Sequence, residues 1–306
     1  GLVNAVLRKL AAEGPALLEG LDAARLDTPP WLWTAWHGAY GPAVRAIAEA
    51  HNGPAPLDLS FKPGALPPEG AEALPGGSFR LPAGTRVTEI PGFAEGQFWV
   101  QDAAAALPAR LLAPRAGENI ADLCAAPGGK TAQLAAAGAK VTAVERDAKR
   151  AARLRENLAR LQLPAEIVTA DAASWKPAAP FDAILLDAPC TATGTIRRHP
   201  DVAWLKRARD VATAAALQSR LLQAAAGMLA PGGRLVFATC SLQAEEGEAH
   251  LREAPALGLK LDPISPAEVP GLEEAILPSG ALRTRPDYWG ARGGMDGFFM
   301  ARFVKG

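Results

Sequence analysis

Two stretches of this chain place a thiol where a buried strand would stop. Ile184-Leu185-Leu186-Asp187-Ala188-Pro189-Cys190 is an apolar run closed by an acid, a proline and a cysteine, and Leu235-Val236-Phe237-Ala238-Thr239-Cys240-Ser241 closes in the same way. The carboxyl edge of an α/β sheet is where such strands present reactive groups, and an ionised cysteine is a strong nucleophile. A strand-end cysteine is more often just a small buried hydrophobe. Two of them in matching contexts, among only three cysteines, argue for chemistry. The third, Cys124, lies in a turn and is read as packing there, offering backbone rather than thiol chemistry. An odd, scattered set of cysteines with no C-x-x-C pair and only four histidines fits neither a disulfide framework nor a metal site.

The turn holding Cys124 runs Ile120-Ala121-Asp122-Leu123-Cys124 into Ala125-Ala126-Pro127-Gly128-Gly129-Lys130-Thr131. A P-loop needs a glycine where Cys124 stands, and the G-x-G-x-x-G spacing is missing, so the loop is not built for phosphate. Its paired glycines still let a ligand approach the backbone closely at a helix N-terminus. Glu145 ends the second strand, where an acid typically accepts from the ribose hydroxyls of an adenosine-type cofactor. Asp171 ends the third strand and Asp187 the fourth, whereas Asp147 directly precedes a helix and is read as its cap. Acids after successive strands without a phosphate loop point to a ligand with adenosine at one end and positive charge at the other. S-adenosyl-L-methionine fits that description.

The elements that must position these groups alternate. Strands over 119–124, 141–145, 166–170, 181–187 and 234–239 are separated by helices over 131–137, 148–161 and 208–229, with a last strand over 297–304. Such βαβ alternation predicts a mostly parallel, doubly wound sheet. Upstream, Leu2, Val3, Val6, Leu7 and Leu10 have helical spacing, with Gly14-Pro15 as the stop. An apolar helix at the very start suggests an upstream domain that is absent. Aromatic and aliphatic helices over 31–50 follow, and then a Pro/Gly-rich stretch with short strands over 57–61, 78–81 and 86–90. Phe98 to Asp102 form a junction. This part reads as a compact α+β accessory module.

Composition narrows the class of partner. The chain has 306 residues, 49% apolar and 21% charged, with room for a large core and more than one domain. No apolar run approaches a membrane span and the start is not a signal peptide, so a cytoplasmic protein is expected. Net charge is zero, so a nucleic acid would have to be held by a local patch. The clearest one is Arg197-Arg198-His199, followed by Lys206, Arg207 and Arg209.

Taken together, Asp122 to Thr131, Asp187-Ala188-Pro189-Cys190 with Thr193-Gly194, and Ala238-Thr239-Cys240-Ser241 resemble the signatures of the RNA cytosine-C5 methyltransferase family. Ala192 to Asp201 with Trp204-Leu205 resemble its small-subunit ribosomal RNA branch, the Sun type. The likeness spans the chain and is densest over 97–247. It implies a Rossmann-like seven-stranded methyltransferase fold over 101–306 and a helical plus RRM-like RNA-binding module over 21–100. Residues 1–20 look like the remnant of a NusB-like helical domain. It also implies S-adenosyl-L-methionine held by Cys124, Ala125, Ala126, Pro127, Gly128, Gly129, Lys130, Glu145, Asp171 and Asp187. Cys240 would be the nucleophile and Cys190 the group that assists product release, with Asp187 between cofactor and base. Two departures stand out. Leu57-Asp58-Leu59-Ser60 lies where the family shows Leu-Arg-x-Asn, and Glu145 replaces a common Asp.

That chemistry explains the two thiols. Carbon 5 of cytosine is too weak a nucleophile until something adds to carbon 6, and a thiolate suits that addition. After transfer the carbon 5 proton must leave before the thiol can be eliminated, so a second polar group speeds release. The base must leave its stack to be attacked, and Arg197, Arg198 and His199, close behind Cys190, are expected to meet RNA phosphate. The expected function is methylation of a specific cytosine in 16S ribosomal RNA by a monomeric enzyme without metal. Transfer RNA is a rival substrate. DNA methylation is disfavoured because there the Pro-Cys thiol is normally the nucleophile. A noncatalytic RNA-binding assembly factor would have no need of both thiols.

Overall fold

A computed structural model describes residues 1–306. Helix α1 (Leu2–Leu18) buries none of its residues. It passes the expected stop at Gly14-Pro15. Pro15 lies within a turn of the helix end, where the loss of one N–H leaves the preceding ladder intact. Helices α2 (Ala23–Leu26), α3 (Pro30–Tyr40) and α4 (Val44–Asn52) follow. Leu32 and Trp36 of α3 and Val44 and Ile47 of α4 pack on Ile196, Ala203 and Leu242, so this helical piece braces the segments behind both thiols.

A small antiparallel sheet comes next, built of β1 (Leu57–Phe61), β2 (Glu72–Ala73), β3 (Phe79–Leu81) and β4 (Phe98–Val100) in the order β2-β3-β1-β4. No α-helix lies between its strands. Two expectations are corrected here. Residues 86–90 form no strand but one turn of 3₁₀ helix at Val87–Glu89, where Gly84 and Pro91 leave too short a run to pair. The junction at 98–100 is itself a strand, because Phe98 and Trp99 are buried against β1.

The large sheet follows the predicted alternation. After α5 (Ala103–Leu112) come β5 (Asn119–Leu123), α6 (Gly129–Ala136), β6 (Lys140–Glu145), α7 (Ala148–Leu161), β7 (Glu166–Thr169) and β8 (Phe181–Asp187). Then come α8 (Val202–Leu205), α9 (Ala208–Met228), β9 (Leu229–Thr239), β10 (Leu259–Leu261), β11 (Leu282–Thr284) and β12 (Phe298–Lys305). The order is β10-β12-β9-β8-β5-β6-β7, seven strands along one path, with an eighth, β11, paired to β12 off that path. Strands β5 to β9 pair parallel, and β12 turns antiparallel against β9.

Alternate residues of each strand face opposite layers. Ile120, Leu185 and Val236 pack with Leu107 of α5 and Leu134 of α6. Leu123, Ile184 and Phe237 pack with Leu221 and Leu222 of α9. The chain runs outward from β5 through β6 to β7, and then returns to build β8 and β9 on the other side of β5. That reversal opens a crevice at the carboxyl ends of β5 and β8. No helix is long and apolar enough to cross a membrane.

Candidate active site

The register of β8 against β9 decides how the two thiols meet. Asp187 pairs with Ala238, so the strand ends are level, and Cys190 Sγ lies 3.4 Å from Cys240 Sγ. The loop between them is held by close backbone contact. Gly194 N–H donates to Cys240 O at 3.0 Å and Gly297 N–H to Gly194 O at 2.8 Å, and a Cβ on Gly194 would come within 2.0 Å of Gly297 O. Only glycine fits there.

The two sulfurs are not equivalent. Cys240 lines a cleft of about 360 Å³ together with Asp187, Lys130, Arg198, His199 and Phe298, whereas Cys190 does not reach that cleft. The hydrogen bond to Cys240, and then burial, push the Cys190 thiol well above its ordinary value, so it remains S–H and can donate to Cys240 Sγ. On the cleft floor Lys130 Nζ donates to Asp187 Oδ2 at 2.7 Å and stands 5.2 Å from the Phe298 ring centroid. Burial works against the charged ammonium, but Asp187 outweighs it and raises Lys130.

Beside this cleft, a narrower one of about 50 Å³ is lined by Cys124, Glu145, Arg150, Asp171, Pro189 and Leu217. Cys124 lines both. The turn from Cys124 to Lys130 is braced by α7: Arg150 Nη2 donates to Ala126 O at 2.7 Å and Asn157 Nδ2 to Pro127 O at 2.8 Å. Ala125 N–H donates to Val144 O at 3.1 Å. Gly128, at φ +107°, sits so close to α7 that a Cβ would meet Leu154 at 2.5 Å. Ala125, Ala126, Pro127 and Gly129 line the wider cleft. Burial pushes the Cys124 thiol up to about 12, consistent with a packing role.

Glu145 and Asp171 both line the narrow cleft. Glu145 is buried, and its Oε1 accepts from Asp147 N at 3.0 Å. Its Oε2 has no hydrogen-bond partner, although Arg150 Nη1 stands 3.4 Å away. A buried acceptor facing a cleft fits a ribose hydroxyl. Asp147 caps α7, accepting from Arg150 N at 2.8 Å.

The basic run divides. Arg197 is corrected from surface contact to buried structural cation, its side chain only 2% exposed. Its guanidinium donates to Asp102 Oδ2 at 2.7 Å, Gly293 O at 2.8 Å and Asp296 Oδ1 at 3.2 Å, and its burial keeps it out of reach of phosphate. The physical reason is that Asp102 and Asp296, distant in sequence, converge under the loop and need a shared cation. Arg198 also pairs with Asp296 but stays partly exposed at the cleft rim with His199. Phe298 and Asp122 line the same cleft without having been singled out. Phe298 has no local sequence signal, being an ordinary strand aromatic, whereas Asp122 opens the stretch that runs to Thr131 and was not read as a site residue. No cluster of His, Cys, Asp and Glu suited to a metal is present.

Sheet order and the switch-point crevice put the chain in the class of Rossmann-like methyltransferases. The family model described as 16S rRNA methyltransferase RsmB/F matches residues 109–304. Ribosomal RNA small subunit methyltransferase B of Erwinia tasmaniensis is 39% identical over all of this chain and 73% of its own length, and that of Vibrio cholerae is 41% identical over 90% and 70%. Among solved structures, a methyltransferase homolog protein from Pyrococcus horikoshii is 28% identical with a TM-score of 0.77, covering 95% of this chain and 99% of that one. NSun6 from the same organism, at 20% identity and a TM-score of 0.75 over 90% and 98%, shares the fold. The chain belongs to the 16S rRNA methyltransferase RsmB/F family. Its cofactor is S-adenosyl-L-methionine, and the unpaired Glu145 Oε2 and the glycine turn suit that molecule.

Proposed function

We propose that this protein methylates carbon 5 of a specific cytosine in small-subunit 16S ribosomal RNA through a covalent bond from Cys240 to carbon 6. The observation that carries this is the thiol pair 3.4 Å apart, one sulfur lining the cleft and the other set behind it. S-adenosyl-L-methionine supplies an electrophilic methyl group when bound. The turn at 124–130, Glu145 and Asp171 hold it, and Lys130 orients Asp187 beside it. The Asp187 oxygen not taken by Lys130 accepts from the exocyclic amino group of the base.

Cys240 thiolate adds to carbon 6, which makes carbon 5 nucleophilic. Once carbon 5 carries the methyl group, its proton passes to a base in the cleft, the carbon 5–hydrogen electron pair restores the carbon 5–carbon 6 double bond, and the carbon–sulfur electron pair returns to Cys240. Cys190 serves this last step, because its S–H hydrogen-bonds to the departing sulfur. The flipped base enters past Arg198 and His199 at the rim. We place this activity in a cytoplasmic monomer.

The test is methyl transfer from labelled cofactor to a panel of unmodified ribosomal and transfer RNAs, with the modified atom mapped. Label on carbon 5 of a 16S cytosine is the expected result. Label on transfer RNA would change the substrate, and label on a nitrogen or ribose oxygen would overturn the covalent chemistry.

A further inference from the structure

We propose that Glu246 is a positioning residue for the thiol pair, holding Cys190 against Cys240 so that the methylated base can be released. This rests on the covalent reading above and adds a residue that touches neither cleft. Glu246 is fully buried and makes no direct ion pair, the nearby Arg283 guanidinium being bonded to Glu248 and Ser241 O instead. A buried carboxylate without a cation is expensive unless several donors meet it. Here the donors come from the two thiol loops. Oε1 accepts from the backbone N–H of Thr191 at 2.8 Å, and Oε2 accepts from the hydroxyls of Thr191 and Ser241. Thr191 follows Cys190 and Ser241 follows Cys240, so one carboxylate ties together the residues next to both sulfurs. Gln218 Nε2 completes the clamp, donating to Glu246 Oε1 at 3.3 Å and to Pro189 O at 2.9 Å.

The clamp is asymmetric. Cys240 directly follows β9, where Thr239 pairs with Phe299, and its carbonyl accepts from Gly194 N–H. Cys190 has left β8 and is bracketed by Gln218 on Pro189 and by Glu246 on Thr191. Loss of Glu246 therefore frees Cys190 first, and the step that suffers is release rather than bond formation.

The experiment compares Glu246→Ala, Glu246→Gln, Cys190→Ala and the Glu246→Ala/Cys190→Ala double variant on unmodified small-subunit ribosomal RNA. First-turnover methyl transfer, steady-state turnover and denaturant-resistant protein–RNA adduct are measured. Glu246→Ala is expected to lower turnover on the order of 10²-fold, as a small misplacement does, with first-turnover transfer changed by less than about threefold and adduct accumulating. The double variant is expected to be no worse than Cys190→Ala. Glu246→Gln, whose amide can donate to both hydroxyls while its oxygen accepts from Thr191 N–H, is expected to restore release. Equal loss in first turnover and steady state without adduct, or a double variant in which the two losses multiply, overturns the positioning role. If Glu246→Ala does not fold, Thr191→Val removes one arm of the clamp and must still raise the adduct. Absence of adduct in Cys190→Ala would instead overturn the covalent reading, and the positioning role with it.

Discussion

Replacing Arg197 with alanine separates two roles that the sequence alone cannot tell apart. The guanidinium is enclosed, bonded to Asp102, Asp296 and the Gly293 carbonyl. Removing one partner of a buried ion pair leaves charge uncompensated, at about 3–5 kcal/mol. Here relief is partial. Asp296 keeps Arg198, and Asp102 keeps the N–H groups of Ala104 at 2.9 Å and Asp296 at 3.1 Å. The lower end, about 3 kcal/mol, is therefore expected, a fall of roughly 5 °C in Tm for a chain of this length. RNA binding should respond differently. A lost single-strand phosphate contact lowers the salt slope by about 0.7, and Arg197→Ala should not change the slope, whereas Arg198→Ala should. Thermal unfolding by circular dichroism and filter binding across a salt series measure the two quantities. An unchanged Tm together with a reduced slope for Arg197→Ala would refute the buried assignment.

The remaining predictions address chemistry, cofactor and pH. Cys240→Ala should abolish methylation and leave no adduct, while Cys190→Ala should accumulate denaturant-resistant adduct on gels; the reverse pattern would exchange their roles. Glu145→Ala removes a buried acceptor facing the narrow cleft, and calorimetry should show cofactor binding weakened by roughly 10–100-fold, as for a hydrogen bond to a charged group; unchanged affinity would place the ribose elsewhere. Burial pushes Asp122 up to about 7, so its contribution is full below the ordinary carboxylate value of 3.8 and is lost as pH rises toward 7. Burial pushes His51 down to about 3, so its contribution is full above 6.5 and is lost as pH falls. The Tm of Asp122→Asn relative to wild type should therefore rise between pH 4 and pH 7, and a constant difference would show that Asp122 does not titrate there.

Strands β5 to β9 and β12, most helix boundaries and the reactive edge were legible in the sequence because local signals carry them, whereas the short strands β2, β4, β10 and β11 were not. Helix α7 runs from Ala148 to Leu161 behind its Asp147 cap, and β8 ends at Asp187, both as read from periodicity and capping. The paired glycines and the acids at strand ends likewise announce a crevice, because backbone conformation and the end of an apolar run are properties of a few adjacent residues. Where local signals compete the reading failed, as at residues 86–90, where β-branched residues between Gly84 and Pro91 suggest a strand but too little chain remains to pair.

Other properties depend on residues far apart in the chain. Arg197 looks like a surface cation until Asp102 and Asp296 close around it from 95 and 99 residues away. Glu246 looks like one of several acids on a polar turn until it meets Thr191. The two thiols were each visible at a strand end. That Cys240 opens to the cleft while Cys190 lies behind it is set by the register of β8 on β9 and by the loop clamped beneath Gly297, a geometry that no short stretch of sequence contains.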